Sequence, residues 1–506
     1  MTKQEITAVR NTAFESGDFD VVIIGAGVSG IGMAAYLRRE CPWARFIIFE
    51  ALDSFGGTWW THRYPGVRSD TDMFSYAYKF KPWTGEVFGA GPDILQYLGE
   101  VIEEQELASS IHYGHRVQSA SWSSDAARWT LSVDTGGEKL AVRASFLWTC
   151  SGYFGQETPY IPDWPGNERF RGKIVHPQHW PADLDVTDQQ VVIIGSGATA
   201  ATLIPSIADN AKHVTMLQRS PTYFYCPPRK TELEMTLEAL GIDPLWTSEI
   251  LRRKFLQDLT AIGARCAAEP DAVAADLIAG VKAIVGDKVD VARHFTPRYT
   301  PFRQRIALLP DGDMLHSIAS GKASVETDEI ECFTETGLVL RSGKMLDADI
   351  IVSATGFNIC VLGDIEFHVD GKLVSWNDTV TYRGMMFTGV PNLLWLWGYA
   401  RFAWTLRVDL IAELACRLLN HMRERKADIV VPVLPQGEEA VGYWFDPEDF
   451  NPGYLMRSRD ILPRSGRAME WQHPQNYWTD LDEMPNLDFE TAPFDFSSAK
   501  QEMAPA

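Results

Sequence analysis

Two glycine-rich turns carry the first recognisable chemistry in this chain: GAGVSG from Gly25 to Gly30 and GSGATA from Gly195 to Ala200. Turns of this type receive a pyrophosphate. The first glycine (Gly25, Gly195) permits the tight bend, and the second (Gly27, Gly197) lets the backbone approach the phosphates. The third small residue (Gly30, Ala200) allows close packing of helix on strand, with the anion at the positive helix N-terminus. Between the turns, residues 170–181 read FRGKIVHPQHWP and hold Gly172, His176, Trp180 and Pro181 at fixed spacing. One turn alone implies a bound nucleotide. Two, joined by such a segment, imply that two nucleotides are coupled.

The elements that must position these turns are readable on either side of them. Residues 19–24 (FDVVII) form a short β-branched run suited to a buried parallel strand, and residues 31–39 have helical spacing. A second strand over residues 45–49 ends at Glu50, whose carboxylate can accept hydrogen bonds from ribose hydroxyls. Residues 191–200 repeat the arrangement, but the following strand, 213–217, ends in Gln218-Arg219-Ser220. A carboxylate would repel a 2′-phosphate, whereas an arginine and a hydroxyl bind it. The first site therefore reads as FAD and the second as NADPH.

Each unit is followed by a similar β-meander. Strands at 128–133 and 140–142 lead into 146–149, and strands at 337–340 and 345–346 lead into 349–353. This duplication implies an α/β fold with two Rossmann-like dinucleotide-binding domains. Residues 1–150 are read as the first part of the FAD domain and 151–384 as the NADPH domain. The latter carries a Leu/Ala/Met-rich helical insertion at 222–296. Residues 385–506 return to the FAD domain, with a helix at 408–423 and an irregular aromatic tail.

With 506 residues the chain is long enough for about three domains of roughly 150 residues. Its net charge of −21 argues against nucleic acid, since phosphate-backbone binding draws on a lysine and arginine surplus. The first twenty residues hold no apolar run fit for a signal peptide, and no segment approaches the ~18 apolar residues of a membrane span. Seven scattered cysteines without a CxxC pair suit a reducing cytoplasm and lack the dithiol of flavin disulfide reductases. No metal site is expected.

Residues 170–181 match FxGxxxHxxxWP, the signature of type I Baeyer–Villiger monooxygenases. Residues 56–70 (GGTWWTHRYPGVRSD) fit that family's second pattern, [AG]GxWxxxx[FY]P[GM]xxxD. The chain resembles this family over nearly its whole length. Residues 68–83, 213–223 and 453–463 look most like the subgroup that activates thioamide prodrugs. The resemblance implies that NADPH reduces FAD and that O2 adds at the flavin C4a carbon. The resulting peroxide then attacks a small-molecule ketone to give an ester or lactone, or passes oxygen to a sulfide. A flavin N- or S-oxygenase, or a non-oxygenating NADPH dehydrogenase or oxidase, are the competing readings. The enzyme would act as a monomer or small homo-oligomer.

The resemblance also assigns residues. Alignment of RIALLP places the arginine that holds the negative peroxide at Arg305, with Arg298 and Arg303 as neighbours that could be confused with it. Asp70 is the acid that orients this arginine, Asp72 being the alternative two residues on. Ser29, Gly57, Thr58, Trp59, Asp70 and Val117 look like FAD contacts. Ala198, Thr199, Arg219 and Ser220 look like NADPH contacts, and Arg68 and Ser69 lie where the cofactors meet. His176 belongs to the linker region, outside the catalytic set. Gln304 stands where many ketone-oxidising members have lysine. Arg401 and Phe402 stand where relatives tend to have smaller polar residues, and are expected to narrow or reshape the pocket.

Overall fold

The structure is a computed structural model describing residues 17–473 and 475–499. The leader reading falls largely on residues 1–16, outside the described residues.

Asp18–Ile24 sits between Phe46–Glu50 and Lys139–Thr149, parallel to both. Its side chains alternate between two buried faces. Val21 and Ile23 enter one core cluster while Phe19, Val22 and Ile24 enter another. This two-sided burial is what a run such as FDVVII is suited to. The sheet extends to nine strands, with Ile111–Tyr113 at one edge and the antiparallel Arg116–Ser123 and Arg128–Asp134 on the other side. Lys139–Thr149 is a single strand. The sequence reading split it at residue 142, but the same strand pairs antiparallel with Arg128–Asp134 and parallel with Asp18–Ile24.

The second sheet has five parallel strands in the order Ala323–Thr327, His213–Gln218, Gln190–Ile194, Ile350–Ser353 and Lys173–Val175. Val191 and Ile193 again face one core, Val192 and Ile194 the other. The parallel strands of the first sheet and the all-parallel second sheet, each covered on both faces, give the α/β architecture of two dinucleotide-binding domains. Here the meander is a separate three-stranded sheet, Ile330–Phe333, Gly337–Leu340 and Met345–Asp347.

Glu232–Ala239, Pro244–Ala268, Pro270–Val285 and Val291–His294 supply the helices within 222–296. The long one docks on the first domain, where Arg252 donates to the carbonyls of Phe74 (3.2 Å) and Ala77 (2.7 Å) and Phe255 stacks on Phe74. Glu366–Val369 pairs with Arg116–Ser123, so the chain rejoins the first sheet before residue 385, where the sequence reading set its return. Helix Trp404–Arg425 then crosses Val28–Glu40 at Gly32, where a Cβ would lie 2.7 Å from Val408 Cγ1. Among the described residues no helix is long and apolar enough to cross a membrane.

Candidate active site

The strand ending at Ile24 turns at Gly25 with φ +105°, a conformation that favours glycine. A Cβ on Gly30 would stand 1.8 Å from the Gly25 carbonyl oxygen, so only glycine fits that strand–helix contact. Gly27 and Gly57 face each other, and a Cβ on either would lie 3.3–3.6 Å from the Cα of the other. Side chains there would fill the gap between them. Helix Val28–Glu40 begins at Gly27 with no side-chain cap and no acid in its first turn, which leaves its N–H groups for an anion. Glu50 is buried and accepts from the N–H groups of Ala26 (2.7 Å) and Leu52 (2.9 Å). Burial pushes its carboxyl above the usual range against the pull of those two donors. Glu50 thus ties the glycine turn to the strand end. These features fit a dinucleotide.

The second turn copies the first. Gly195 has φ +125°, and a Cβ there would meet the Ala354 carbonyl at 2.3 Å. Gly197 is exposed, and a Cβ on it would meet no atom within 4 Å. Helix Ala198–Ile207 starts there without a side-chain cap, Ala198 and Thr199 are half-buried in its first turn, and Ala200 is buried. Arg219 and Ser220 are exposed just past Gln218. Gln218 itself turns inward and donates to the carbonyl of His294 at 2.6 Å.

The segment from Gly56 to Asp72 joins the two halves. Thr58 and Trp59 begin the short helix Thr58–Thr61, and the Trp59 indole donates to the Tyr76 hydroxyl at 2.9 Å. Beyond it, three residues spaced by two reach the second domain. Gly66 packs so tightly on helix Ala198–Ile207 that a Cβ would lie 1.8 Å from Ser206 Oγ. Arg68 pairs with Asp313 at 2.8 Å, and Asp70 pairs with Arg305 at 2.9 Å. Ser69, between them, is buried and donates to the Thr71 carbonyl. Asp72 is occupied elsewhere: it caps helix Met73–Tyr76 by accepting from the Ser75 N–H at 2.7 Å, and burial raises its carboxyl to about 6. Of the three arginines read from this loop, Arg298 is exposed and Arg303 meets Glu448, while Arg305 meets Asp70.

Arg305 also lies 3.5 Å from the Tyr153 hydroxyl. Partial burial works against its charge, but the neighbouring Tyr454 and Tyr153 oxygens and the Asp70 carboxylate outweigh it and hold the guanidinium above its ordinary value. Its side chain keeps 42% of its surface open, and that surface meets a cavity walled by aromatic rings. Tyr153, Trp397, Tyr399, Trp404, Phe450 and Tyr454 are among its walls, and the rings close in so far that the space between them holds about one water. Trp404 donates its indole N–H to Ser29 Oγ at 2.8 Å, which connects the cavity to the first glycine turn.

The remaining residues named from the sequence take these places. Val117 is buried in the core of the first sheet at a bulge in Arg116–Ser123. Neither Arg401 nor Phe402 lines the cavity. Arg401 forks onto the Asp449 carboxylate, and Phe402 packs on Tyr399 and Tyr477. Gly172 is required where it stands, because a Cβ would lie 2.3 Å from the Asp349 carbonyl. His176 is buried and bridges the linker: Nδ1 accepts from the Gln178 N–H, so Nε2 carries the proton donated to the Gly356 carbonyl at 3.2 Å. Burial lowers this imidazole to about 4.

Sequence reasoning passed over Tyr153, Trp404 and Tyr454. The signal for Tyr153 was present, since it follows the C-terminal end of Lys139–Thr149, the sheet edge at which ligands bind in such folds.

Residues 19–278 match the pyridine nucleotide-disulphide oxidoreductase family. The seven cysteines are nevertheless free thiols. The FAD-containing monooxygenase EthA of Mycolicibacterium smegmatis is 43% identical over 468 residues, spanning 92% of this chain and 94% of its own length. Two solved structures share the fold, each covering 96% of this chain and 100% of its own. They are an open form of cyclohexanone monooxygenase, with a TM-score of 0.74 at 21% identity, and OTEMO in complex with FAD and NADP, with 0.73 at 20%. By this full-length likeness the chain belongs to the FAD-containing monooxygenases, and it has the fold seen in the Baeyer–Villiger enzymes cyclohexanone monooxygenase and OTEMO.

Proposed function

We propose that this monooxygenase inserts one atom of O2 next to a ketone carbonyl, giving an ester or lactone, and that it also oxidises sulfides. The observation that carries this reading is the Arg305–Asp70 pair opening onto an aromatic cavity. When bound, NADPH supplies the hydride and FAD the means to activate O2. The first glycine turn with Ser29, Glu50, Thr58 and Trp59 would hold FAD. The second, with Thr199, Arg219 and Ser220, would hold NADPH.

The chain's own contribution is charge and enclosure. Attack on a carbonyl makes its oxygen anionic, and Arg305 presents a fixed cation to that oxygen while Asp70 sets the guanidinium plane. The aromatic walls would suit an apolar ketone once the rings part to admit it, and would keep water from the reacting atoms. Support for a ketone also comes from the fold shared with cyclohexanone monooxygenase. The scattered free cysteines support a cytoplasmic setting.

The test offers one cyclic ketone and one thioether under 18O2 and weighs the products. Baeyer–Villiger chemistry adds one 18O to the ketone as ester or lactone. Sulfoxide formation with an untouched ketone makes the protein an S-oxygenase, and NADPH recovered wholly as hydrogen peroxide makes it an oxidase.

A further inference from the structure

Arg401 sits beside the cavity wall formed by Tyr399 and Ala400, yet its guanidinium binds two other segments. It forks onto the Asp449 carboxylate at 2.9 Å through both terminal nitrogens and donates to the Asp449 carbonyl at 2.8 Å. The same nitrogen reaches the Phe302 carbonyl at 3.2 Å. Phe302 has φ +68°, a left-handed conformation that a non-glycine residue keeps only where its surroundings enforce it. Three residues later in the same loop comes Arg305. The tail adds two further ties: the Asn451 N–H donates to the Arg303 carbonyl at 3.0 Å, and Glu448 pairs with Arg303 at 3.3 Å. Phe450, between these anchors, walls the cavity with Arg305 and lies 5.5 Å from the Arg401 guanidinium.

We propose that Arg401 and Asp449 are positioning residues for Arg305. Their fork clamps the tail at 446–451 against the loop at 300–305, holds Phe302 in its strained turn, and so fixes where the Arg305 guanidinium meets the substrate oxygen. A planar fork suits this task because it engages two carbonyls and a carboxylate at once, which an ammonium could not do in one plane. The proposal rests on the oxygenation reading above. It adds that coupling of NADPH oxidation to product depends on a salt bridge whose members touch neither cofactor turn.

The experiment compares wild type, Asp449→Asn, Asp449→Ala and Arg401→Lys in holoenzyme with a ketone or thioether that the wild type oxygenates. Asp449 is 56% exposed, so its variants are expected to fold. Flavin reduction by NADPH should keep its wild-type rate. Product per NADPH should fall, with kcat for oxygenation down about tenfold, the lost equivalents appearing as hydrogen peroxide. In an Arg305→Lys background the same Asp449 substitutions should cost less than twofold, since residues acting as one unit are non-additive. Unchanged coupling in both Asp449 variants overturns the clamp, as does a tenfold loss that persists in the Arg305→Lys background. If the wild type oxygenates neither compound, the functional reading fails instead, and that failure is visible before any variant is made.

Discussion

Replacing Arg305 by alanine separates catalysis from folding, because the geometry assigns the side chain very different weights in the two. Its pair with Asp70 is short at 2.9 Å, but the two side chains are 42% and 38% exposed. A pair that open to solvent contributes only about 0–1 kcal/mol to stability. Facing an oxyanion in an aromatic cavity, the same guanidinium is comparable to an oxyanion-hole donor, worth about 3–4 kcal/mol or 10²–10³ in rate. Arg305→Ala should therefore melt within a few degrees of wild type, retain FAD and be reduced by NADPH at the normal rate. Its rate of ester or sulfoxide formation should fall about 10²–10³-fold. Arg305→Lys keeps a charge but loses the planar fork, and should fall between the two. The assay pairs rapid-mixing flavin bleaching under anaerobic conditions with chromatographic product analysis in air. An Arg305→Ala enzyme oxygenating at the wild-type rate would refute the role. So would one that loses flavin reduction in parallel, since that places the arginine in nucleotide binding.

Gly30→Ala puts a Cβ 1.8 Å from the Gly25 carbonyl, so the variant should purify with little FAD, read from the ratio of flavin to protein absorbance. Arg219→Glu should raise KM for NADPH about 10–100-fold while leaving NADH nearly unchanged, by loss of a 2′-phosphate partner and gain of repulsion. His176 gives a pH signature. Its folded value near 4 lies below the unfolded ~6.5, so between those limits the unfolded chain binds more protons and stability falls on acidification. The loss reaches up to about 3 kcal/mol by pH 4. His176→Gln should flatten the melting-temperature profile between pH 7 and pH 4, whereas a profile identical to wild type contradicts the assignment. Asp72 has the opposite sign: its folded value near 6 exceeds the unfolded ~3.9, so its contribution declines as pH rises through that window. Asp72→Asn should accordingly be better tolerated at pH 8 than at pH 4.5 in the same melting assay.

What the sequence discloses here is local. The strand ahead of each glycine turn, the helix behind it, Glu50 at its strand end and the helical character of 222–296 all follow from apolar period and glycine placement within some thirty residues. The pairings that finish the site are long-range. Arg68 meets Asp313 and Arg401 meets Asp449, partners no periodicity announces, while the meeting of Asp70 with Arg305 is legible only through the family motif. The strand Glu366–Val369 is likewise placed by its pairing with Arg116–Ser123, which is why the return to the first sheet precedes the position read from composition. Arg401 shows the cost most clearly. Its bulk suggested a narrowed pocket, but a charged fork is drawn to a carboxylate wherever the fold brings one within reach, and the tail brings Asp449.

One local pattern does carry long-range information once the fold is known. Gly66, Arg68 and Asp70 lie two apart: Gly66 takes a turn with φ +77°, and Arg68 bridges to Ala90 as an extended residue would. All three address the second domain: one helix backbone, one carboxylate and one guanidinium. A single stretch beginning at Gly57 therefore ties the first glycine turn to the second domain and ends on Arg305. Because the Asp70–Arg305 pair spans the two domains, the orientation of the guanidinium at the cavity depends on how this stretch seats on the second domain. Arg68→Ala should then lower coupling of NADPH to product although Arg68 touches neither the cavity nor Arg305, and Arg68→Lys, which keeps a cation for Asp313, should recover part of it. Full coupling in Arg68→Ala would sever the two functions and leave Asp70 as a local orienting group alone.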